Sequence, residues 1–176
     1  MRALLVLCCS LALSIAAPQT STLAEAQAAV EKNPKDARAL LTLGALYDRA
    51  GQFEQAAPIL KRAVKAAPSL AAARMELAVC LARLHRYKEA AVTLDPVAPP
   101  KDTPQLLLYR RLKASIASGN KNDAIAADEM AKALELVPGD RGLAFATAVA
   151  QLRAGRLDQA LTSAEKSKGT QDSADI

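Results

Sequence analysis

Apolar residues between positions 33 and 68 recur at the spacing of a helix, not of a strand. One stripe comprises Ala37, Leu40, Leu43, Gly44 and Tyr47, and a second comprises Phe53, Ala56, Ala57, Leu60, Ala63 and Val64. Asp36 is placed to cap the first helix, Gly51 suits the turn, and Pro68 ends the second helix. Nowhere do β-branched residues alternate with polar ones between turn residues, so the sequence predicts an all-α protein.

The same pattern returns along the chain every 34 residues. Pro68 follows Pro34 by this interval, and Tyr87 follows Phe53 by the same interval. Thr22 and Glu25 form a capping-box pattern before the first helix, and Ser69 is the expected N-cap of the fourth. The predicted units are a half repeat at 21–33, repeats at 36–68, 69–98, 103–138 and 140–168, and a disordered tail at 169–176.

The later repeats are less regular. Residues 97–102 contain Pro99 and Pro100 and predict a linker or a rigid turn. The helix after the linker is expected over 105–118 and to close at Gly119, which lies further before Pro138 than Gly51 lies before Pro68. We therefore expect an insertion of about two residues in the third repeat. The last helix has a single apolar stripe and is expected to cap the stack; the stripe contains Leu157, Ala160, Leu161 and Ala164.

These residues resemble the tetratricopeptide repeat (TPR) family, whose repeating unit has a fixed length of about 34 residues. The signature positions are occupied by Leu40, Leu43, Gly44, Tyr47, Gly51, Phe53, Ala56, Leu60, Ala63 and Pro68. The resemblance implies a right-handed α-solenoid of antiparallel helix pairs, with about nine helices. It also implies a concave groove that is lined by the first helix of each pair.

By this resemblance the groove has an apolar floor and a row of arginines. The predicted binding residues are Arg38, Leu41, Arg49, Met75, Val79, Arg83, Arg110, Phe145, Val149 and Arg153, with Arg111 as a second candidate in the third repeat. Two interpretations of the arginines stay open. They could hold carboxylates or carbonyls of a partner segment, or they could be solvated residues that complement the C-terminal ends of their helices.

Residues 1–17 have the pattern of a secretory signal peptide. Arg2 precedes an apolar run from Ala3 to Leu13, and small residues around Ala16 and Ala17 suit cleavage. A membrane anchor would need roughly 20 apolar residues, so this run is too short. Leu7 stands where lipoproteins place a small residue before the modified cysteine, so lipid anchoring is not expected. The sequence predicts an exported protein, periplasmic or secreted, without an integral membrane segment in its mature form.

Residues for catalysis are scarce. The one histidine is His85, which we interpret as a turn residue because it replaces Gly51 one interval later, and Cys80 is the one cysteine after the leader. No catalytic or metal-binding motif is present, so we predict a non-enzymatic protein without cofactor or metal. The formal net charge is +5 and its basic residues are dispersed, which argues against nucleic-acid binding.

Two functional hypotheses follow. The first is a scaffold of the bacterial cell envelope that binds a protein or peptide segment in its groove. The second is a structural subunit that self-associates, or joins an envelope, secretion or pilus assembly, through convex or end faces. The oligomeric state and the partner's identity stay open.

Overall fold

A computed structural model describes residues 22–168, with the backbone only at Lys168. This part of the chain contains nine helices and no strand, which confirms the predicted all-α solenoid. The helices are α1 (Leu23–Lys32), α2 (Ala37–Arg49), α3 (Phe53–Ala66), α4 (Ala71–Arg83), α5 (Tyr87–Leu94), α6 (Thr103–Gly119), α7 (Asp123–Leu136), α8 (Arg141–Arg153) and α9 (Leu157–Lys168). The predicted leader at 1–17 and tail at 169–176 lie outside the described residues.

Most helix starts follow from the capping residues in the sequence. Thr22 and Glu25 form the reciprocal capping box, and Asp36 and Asp140 cap α2 and α8 through their carboxylates. Helices α3, α4 and α5 begin without a side-chain cap, and for α4 this contradicts the prediction. The N-cap of α4 is Leu70, without a side-chain hydrogen bond, so the prediction that Ser69 caps this helix was wrong.

The turns inside the four helix pairs contain a residue with positive φ. These are Gly51 (75°), His85 (56°), Lys121 (59°) and Gly155 (75°). The interpretation of His85 as a turn residue is therefore confirmed. Helix α6 ends at Gly119, as predicted, but Gly119 is not the counterpart of Gly51, because the left-handed residue of this turn is Lys121.

The position of Lys121 also corrects the predicted insertion. Lys121 lies as far before Pro138 as Gly51 lies before Pro68, so the third repeat has a regular turn and second helix. The two extra residues lie instead between His85 and Lys121, in the connection that precedes this turn. Helix α5 ends early at Leu94 because Pro96 cannot continue a helix, and the connection from α5 to α6 is correspondingly longer.

The described helices pack in chain order, and the first helices of the first three pairs approach one another. Cα pairs within 8 Å join α2 to α4 and α4 to α6, whereas none joins α3 to α5, α5 to α7 or α7 to α9. Because the first helices are closer together than the second helices, the array curves with the first helices on its concave side. None of the described helices has the length and hydropathy that a bilayer crossing requires.

The last helix does not finish the stack as expected. Leu157 and Leu161 are 61% and 66% exposed, and α9 instead packs through Ala160 and Ser163. In the earlier pairs, the corresponding Phe53 and Ala57 pack against the next pair. The prediction that the leucines of α9 form its packing face was therefore wrong, because the described chain has no following pair to cover them.

Candidate functional site in the concave groove

The predicted groove is the one lined by the first helices, α2, α4, α6 and α8. The repeat register, corrected for the two extra residues before Lys121, identifies the equivalent positions on these helices. Thus Leu41, Met75, Arg111 and Phe145 occupy one position, and Arg49, Arg83, Gly119 and Arg153 occupy another.

Between α2 and α4 the groove is closed by its own side chains. Asp48 is 4% exposed, and its carboxylate accepts a hydrogen bond from Arg83 at 2.7 Å. Arg83 also donates to the carbonyl oxygen of Asp48 at 3.3 Å and lies over the ring of Phe53, 5.3 Å from its centroid. The guanidinium of Arg83 therefore links two repeats and already has a carboxylate partner.

We call the packing region between the first helices of two neighbouring pairs a joint. At the joint between α2 and α4, the pKa values of two carboxyl groups are raised. Burial raises the pKa of Asp48, and the charges of Arg83 and Arg49 offset only part of that effect. Burial also raises the pKa of Glu76, and the nearby negative charge of Asp48 adds to it. The second carboxylate oxygen of Asp48 is buried without a hydrogen-bond partner. The charge of Arg83 therefore favours the ionised form of Asp48 against the effect of burial.

Arg110, a predicted binding residue, lies inside the third helix pair. Its guanidinium donates to the carboxylate of Glu129 at 2.8 Å, and Lys113 and Lys132 are also near that carboxylate. Burial acts to raise the pKa of Glu129, but the hydrogen bond from Arg110 and the charges of both lysines outweigh it and hold that pKa below its ordinary value. Arg110 thus fills the packing position of Leu40, and the groove position belongs to Arg111.

A cleft opens between α6 and α8, where no Cα pair lies within 8 Å. It encloses about 260 Å³, and its residues come from α6, α7 and α8. They are Arg111, Ala114, Ser115, Ser118, Asp123, Ala126, Met130, Ala146, Val149, Ala150 and Arg153. We call this feature the α6–α8 cleft. It has an apolar floor between two guanidinium groups, with the carboxylate of Asp123 at its side.

The arginines of the α6–α8 cleft have no partner within the described part of the chain. Arg111 and Arg153 are both exposed, and neither makes a salt bridge or side-chain hydrogen bond within residues 22–168. Arg38 and Arg49 are likewise exposed and form no salt bridge in the described region. Of Arg49, Arg83 and Arg153, which share one repeat position, Arg83 is therefore the one with a bound carboxylate in the described region.

The predicted apolar floor is covered at one end of the groove and open at the other. Leu41 and Met75 are partly buried against the core, and Val79 and Val149 are also partly buried. Phe145 is 62% exposed, and Leu108 and Leu152, which the prediction did not include, are 60% and 56% exposed. The exposed apolar surface of the groove is thus concentrated on α6 and α8.

The thiol of Cys80 and the imidazole of His85 are the most reactive side chains in the described region, and both have structural roles. Cys80 is fully buried, its thiol lies 3.3 Å from the carbonyl oxygen of Phe53, and burial raises its pKa to about 11. His85 contacts the hydroxyl of Tyr87 through Nδ1 at 2.8 Å. Among residues 22–168, no three His, Cys, Asp or Glu side chains lie close enough together to hold a metal ion.

Comparison with known proteins identifies the repeat. The family model described as tetratricopeptide repeat matches residues 20–69 and 49–116, which together make up more than half of the chain. The chain belongs to the tetratricopeptide repeat family. TPR domains are typically non-catalytic scaffolds for protein–protein interaction.

One curated relative is the human protein O-mannosyl-transferase TMTC1, which is 38% identical to this TPR protein over 104 residues. The match covers 59% of this chain but only 12% of the human protein. The shared segment is thus a small part of that protein.

Solved structures support the same fold. MamA (residues 41 to the end) from Desulfovibrio magneticus RS-1 has a TM-score of 0.71 at 20% identity, and the match covers 86% of each chain. YrrB, described as a TPR protein with an unusual peptide-binding site, has a TM-score of 0.69 at 19% identity, covering 84% of this chain and 75% of YrrB. At these identities the similarity supports the TPR fold and no more.

The sequence interpretation missed Arg111 as the main candidate because it fixed the third turn at Gly119. A signal was available in the spacing of the prolines. Counting back from Pro138 by the interval that separates Gly51 from Pro68 leads to Lys121, and the corrected register then places Arg111 at the groove position. The absence of contact between α6 and α8 had no comparable signal, because it depends on how two distant helices are spaced.

Proposed function

We propose that this TPR protein is a non-enzymatic scaffold of the bacterial cell envelope that binds a partner protein segment in its concave groove. The observation that carries the proposal is the exposed apolar surface of α6 and α8, formed by Leu108, Phe145 and Leu152 next to Arg111 and Arg153. Large exposed apolar side chains grouped on one concave face are typical of a protein-binding surface.

A second candidate function rests on a different surface. Leu157 and Leu161 on α9 are exposed at the end of the described array, where each earlier pair meets the next one. Such an end could bind a helix of another subunit, as expected of a structural component that self-associates or joins a larger assembly.

A panel of three charged variants separates the two candidates. Phe145→Glu alters the groove, Leu161→Lys alters the end face, and Val92→Glu alters a residue on α5 that is 74% exposed. We expect affinity capture from an envelope extract, quantified by mass spectrometry, to lose its specific partners with Phe145→Glu and to keep them with the other two. Loss of partners, or of self-association in sedimentation experiments, with Leu161→Lys alone would instead support the end-face function.

Export is supported by the leader-like segment at residues 1–17. We expect the protein from a periplasmic extract to begin at Ala17 or Pro18, as measured by the intact mass and by N-terminal peptides. Replacing Leu5 and Leu7 with arginine should retain the full-length chain in the cytoplasm, because the apolar run would be interrupted. A protein that keeps Met1 and fractionates with the cytoplasm would contradict the proposal.

A further inference from the structure

The joint between α6 and α8 lacks the side chains that fill the corresponding joint between α2 and α4. Equivalent residues of the two joints are separated by two repeats in the corrected register. Phe53, whose ring packs against the core and under Arg83, corresponds to Asp123. The other replacements are Leu41 by Arg111, Asp48 by Ser118, Leu60 by Met130 and Cys80 by Ala150.

At the middle joint, between α4 and α6, an aromatic ring again fills the space between neighbouring pairs. There Tyr87 takes the position of Phe53, and its ring lies directly against Gly119 of α6. At the third joint Asp123 is too short and too polar to fill this space. The substitution accounts for the open space of the α6–α8 cleft, where the two helices have no Cα pair within 8 Å.

The charges around the cleft favour an acidic ligand. In the first joint Arg83 has the buried carboxylate of Asp48 as its partner, whereas at the α6–α8 joint Ser118 occupies the position of Asp48 and Arg153 that of Arg83. Arg111 adds a second guanidinium, and Asp123 contributes the one carboxylate among the cleft residues. The cleft therefore has an excess of one positive charge, together with an apolar floor that includes Met130 and Val149.

We propose that the α6–α8 cleft is a binding site for a partner segment in which a large apolar side chain, aromatic or leucine-like, stands beside an aspartate or glutamate. The apolar side chain occupies the space that Phe53 and Tyr87 fill in the other two joints. The carboxylate pairs with Arg111 or Arg153, as Asp48 pairs with Arg83. This inference rests on the proposed function and specifies which part of the groove binds and what it recognises.

The decisive variant fills the cleft from within. In Asp123→Phe the chain supplies its own ring, as at the other joints, without altering the exposed rim of the groove. The probe is a random-sequence peptide library displayed on phage and selected on the immobilised protein. We expect the unmodified protein to enrich peptides with an apolar residue next to Asp or Glu, and Asp123→Phe to lose this enrichment. A peptide from the selection should bind Asp123→Phe at least about tenfold more weakly by fluorescence anisotropy.

A matched variant tests the charges separately. Arg111→Gln combined with Arg153→Gln should keep the preference for an apolar residue but lose the preference for Asp and Glu. Binding of the selected peptide should weaken with salt in the unmodified protein and become nearly salt-independent in this variant. Ala150→Leu, which fills the cleft from α8, serves as a second cleft-filling variant if Asp123→Phe fails to fold. Circular dichroism shows whether each variant keeps its helices.

The outcomes distinguish this inference from the proposed function. If Phe145→Glu abolishes peptide selection while Asp123→Phe and Ala150→Leu leave it unchanged, groove binding stands and the cleft inference is overturned. Selection without enrichment of Asp or Glu also overturns the inference. If the folded protein enriches no peptide at all, both proposals fail. A dimer that Asp123→Phe converts to a monomer would assign the cleft to a second copy of this chain and overturn the acidic-segment proposal.

Discussion

Replacing Leu60 with alanine is expected to lower the free energy of unfolding by about 2–5 kcal/mol, measured by urea denaturation. Leu60 is fully buried in α3 and packs directly on α2 at Gly44. The truncation leaves a cavity at the crossing of two helices, and neither backbone can move far to fill it. The control is Val92→Ala at a site that is 74% exposed, for which we expect a change of no more than about 0.5 kcal/mol.

The same contact can be tested from its other side. A Cβ atom at Gly44 would lie 2.6 Å from Cγ and Cδ2 of Leu60, so Gly44→Val should cost about 1–3 kcal/mol by overpacking. In the double variant the valine occupies space that the shortened Leu60 has vacated. We therefore expect the double variant to lose less stability than the sum of the two single changes. Strictly additive losses would show that the two residues do not share this space.

Arg83→Met is expected to lower the free energy of unfolding by about 2 kcal/mol at pH 7, because it leaves the carboxylate of Asp48 buried without its charged partner. The figure is below that for a fully buried ion pair, since the side chain of Arg83 is 47% exposed. The control is Lys61→Met, which removes a salt bridge to Glu89 between two half-exposed side chains. We expect no measurable change for this control.

The effect of Arg83→Met should depend on pH in a specific direction. The folded-state pKa of Asp48 is raised, so its stabilising contribution is complete below the unfolded-state pKa and is lost as the pH rises through the folded-state pKa. Removing Arg83 raises that pKa further and also removes a charge that lowers the pKa of Glu76. The variant should therefore be closest to the unmodified protein in acid and fall behind towards neutral pH.

A second substitution identifies the group that titrates. With Asp48→Asn in addition to Arg83→Met, the buried side chain is neutral at every pH, and we expect most of the pH-dependent loss to disappear. We attribute the pH-dependent loss that remains to Glu76, because the charge of Arg83 also lowers the pKa of this residue. Urea denaturation between acid and neutral pH gives both curves. A loss that is equal at all pH values would contradict the role of Arg83 in keeping Asp48 ionised.

Much of the fold could be predicted from the sequence because the TPR signal is local. Helix spacing, the caps at Asp36 and Asp140, and the turns at Gly51 and His85 each depend on a few neighbouring residues, and the structure confirms them. The third turn was mispredicted because glycine is the usual residue with positive φ, whereas this chain uses Lys121 there. That single error also misplaced the two extra residues of the third repeat.

The candidate site was predicted less completely than the fold. The resemblance implied which helices line the groove, but it could not distinguish an arginine with a partner inside the chain from one without. Arg83 and Arg110 are bound to Asp48 and Glu129, while Arg111 and Arg153 have no such partner in the described structure. These pairings join residues 35 and 19 positions apart, so they depend on how the helices pack.

The sequence by itself determined the helix pairs and their period, because these follow from residues within one or two turns of each other. Only the tertiary structure decided that the groove is closed between α2 and α4 and open between α6 and α8. It also showed that the leucines of α9 are left uncovered. The physical reason is that exposure and charge pairing depend on which side chains meet across neighbouring helices, and no single helix contains that information.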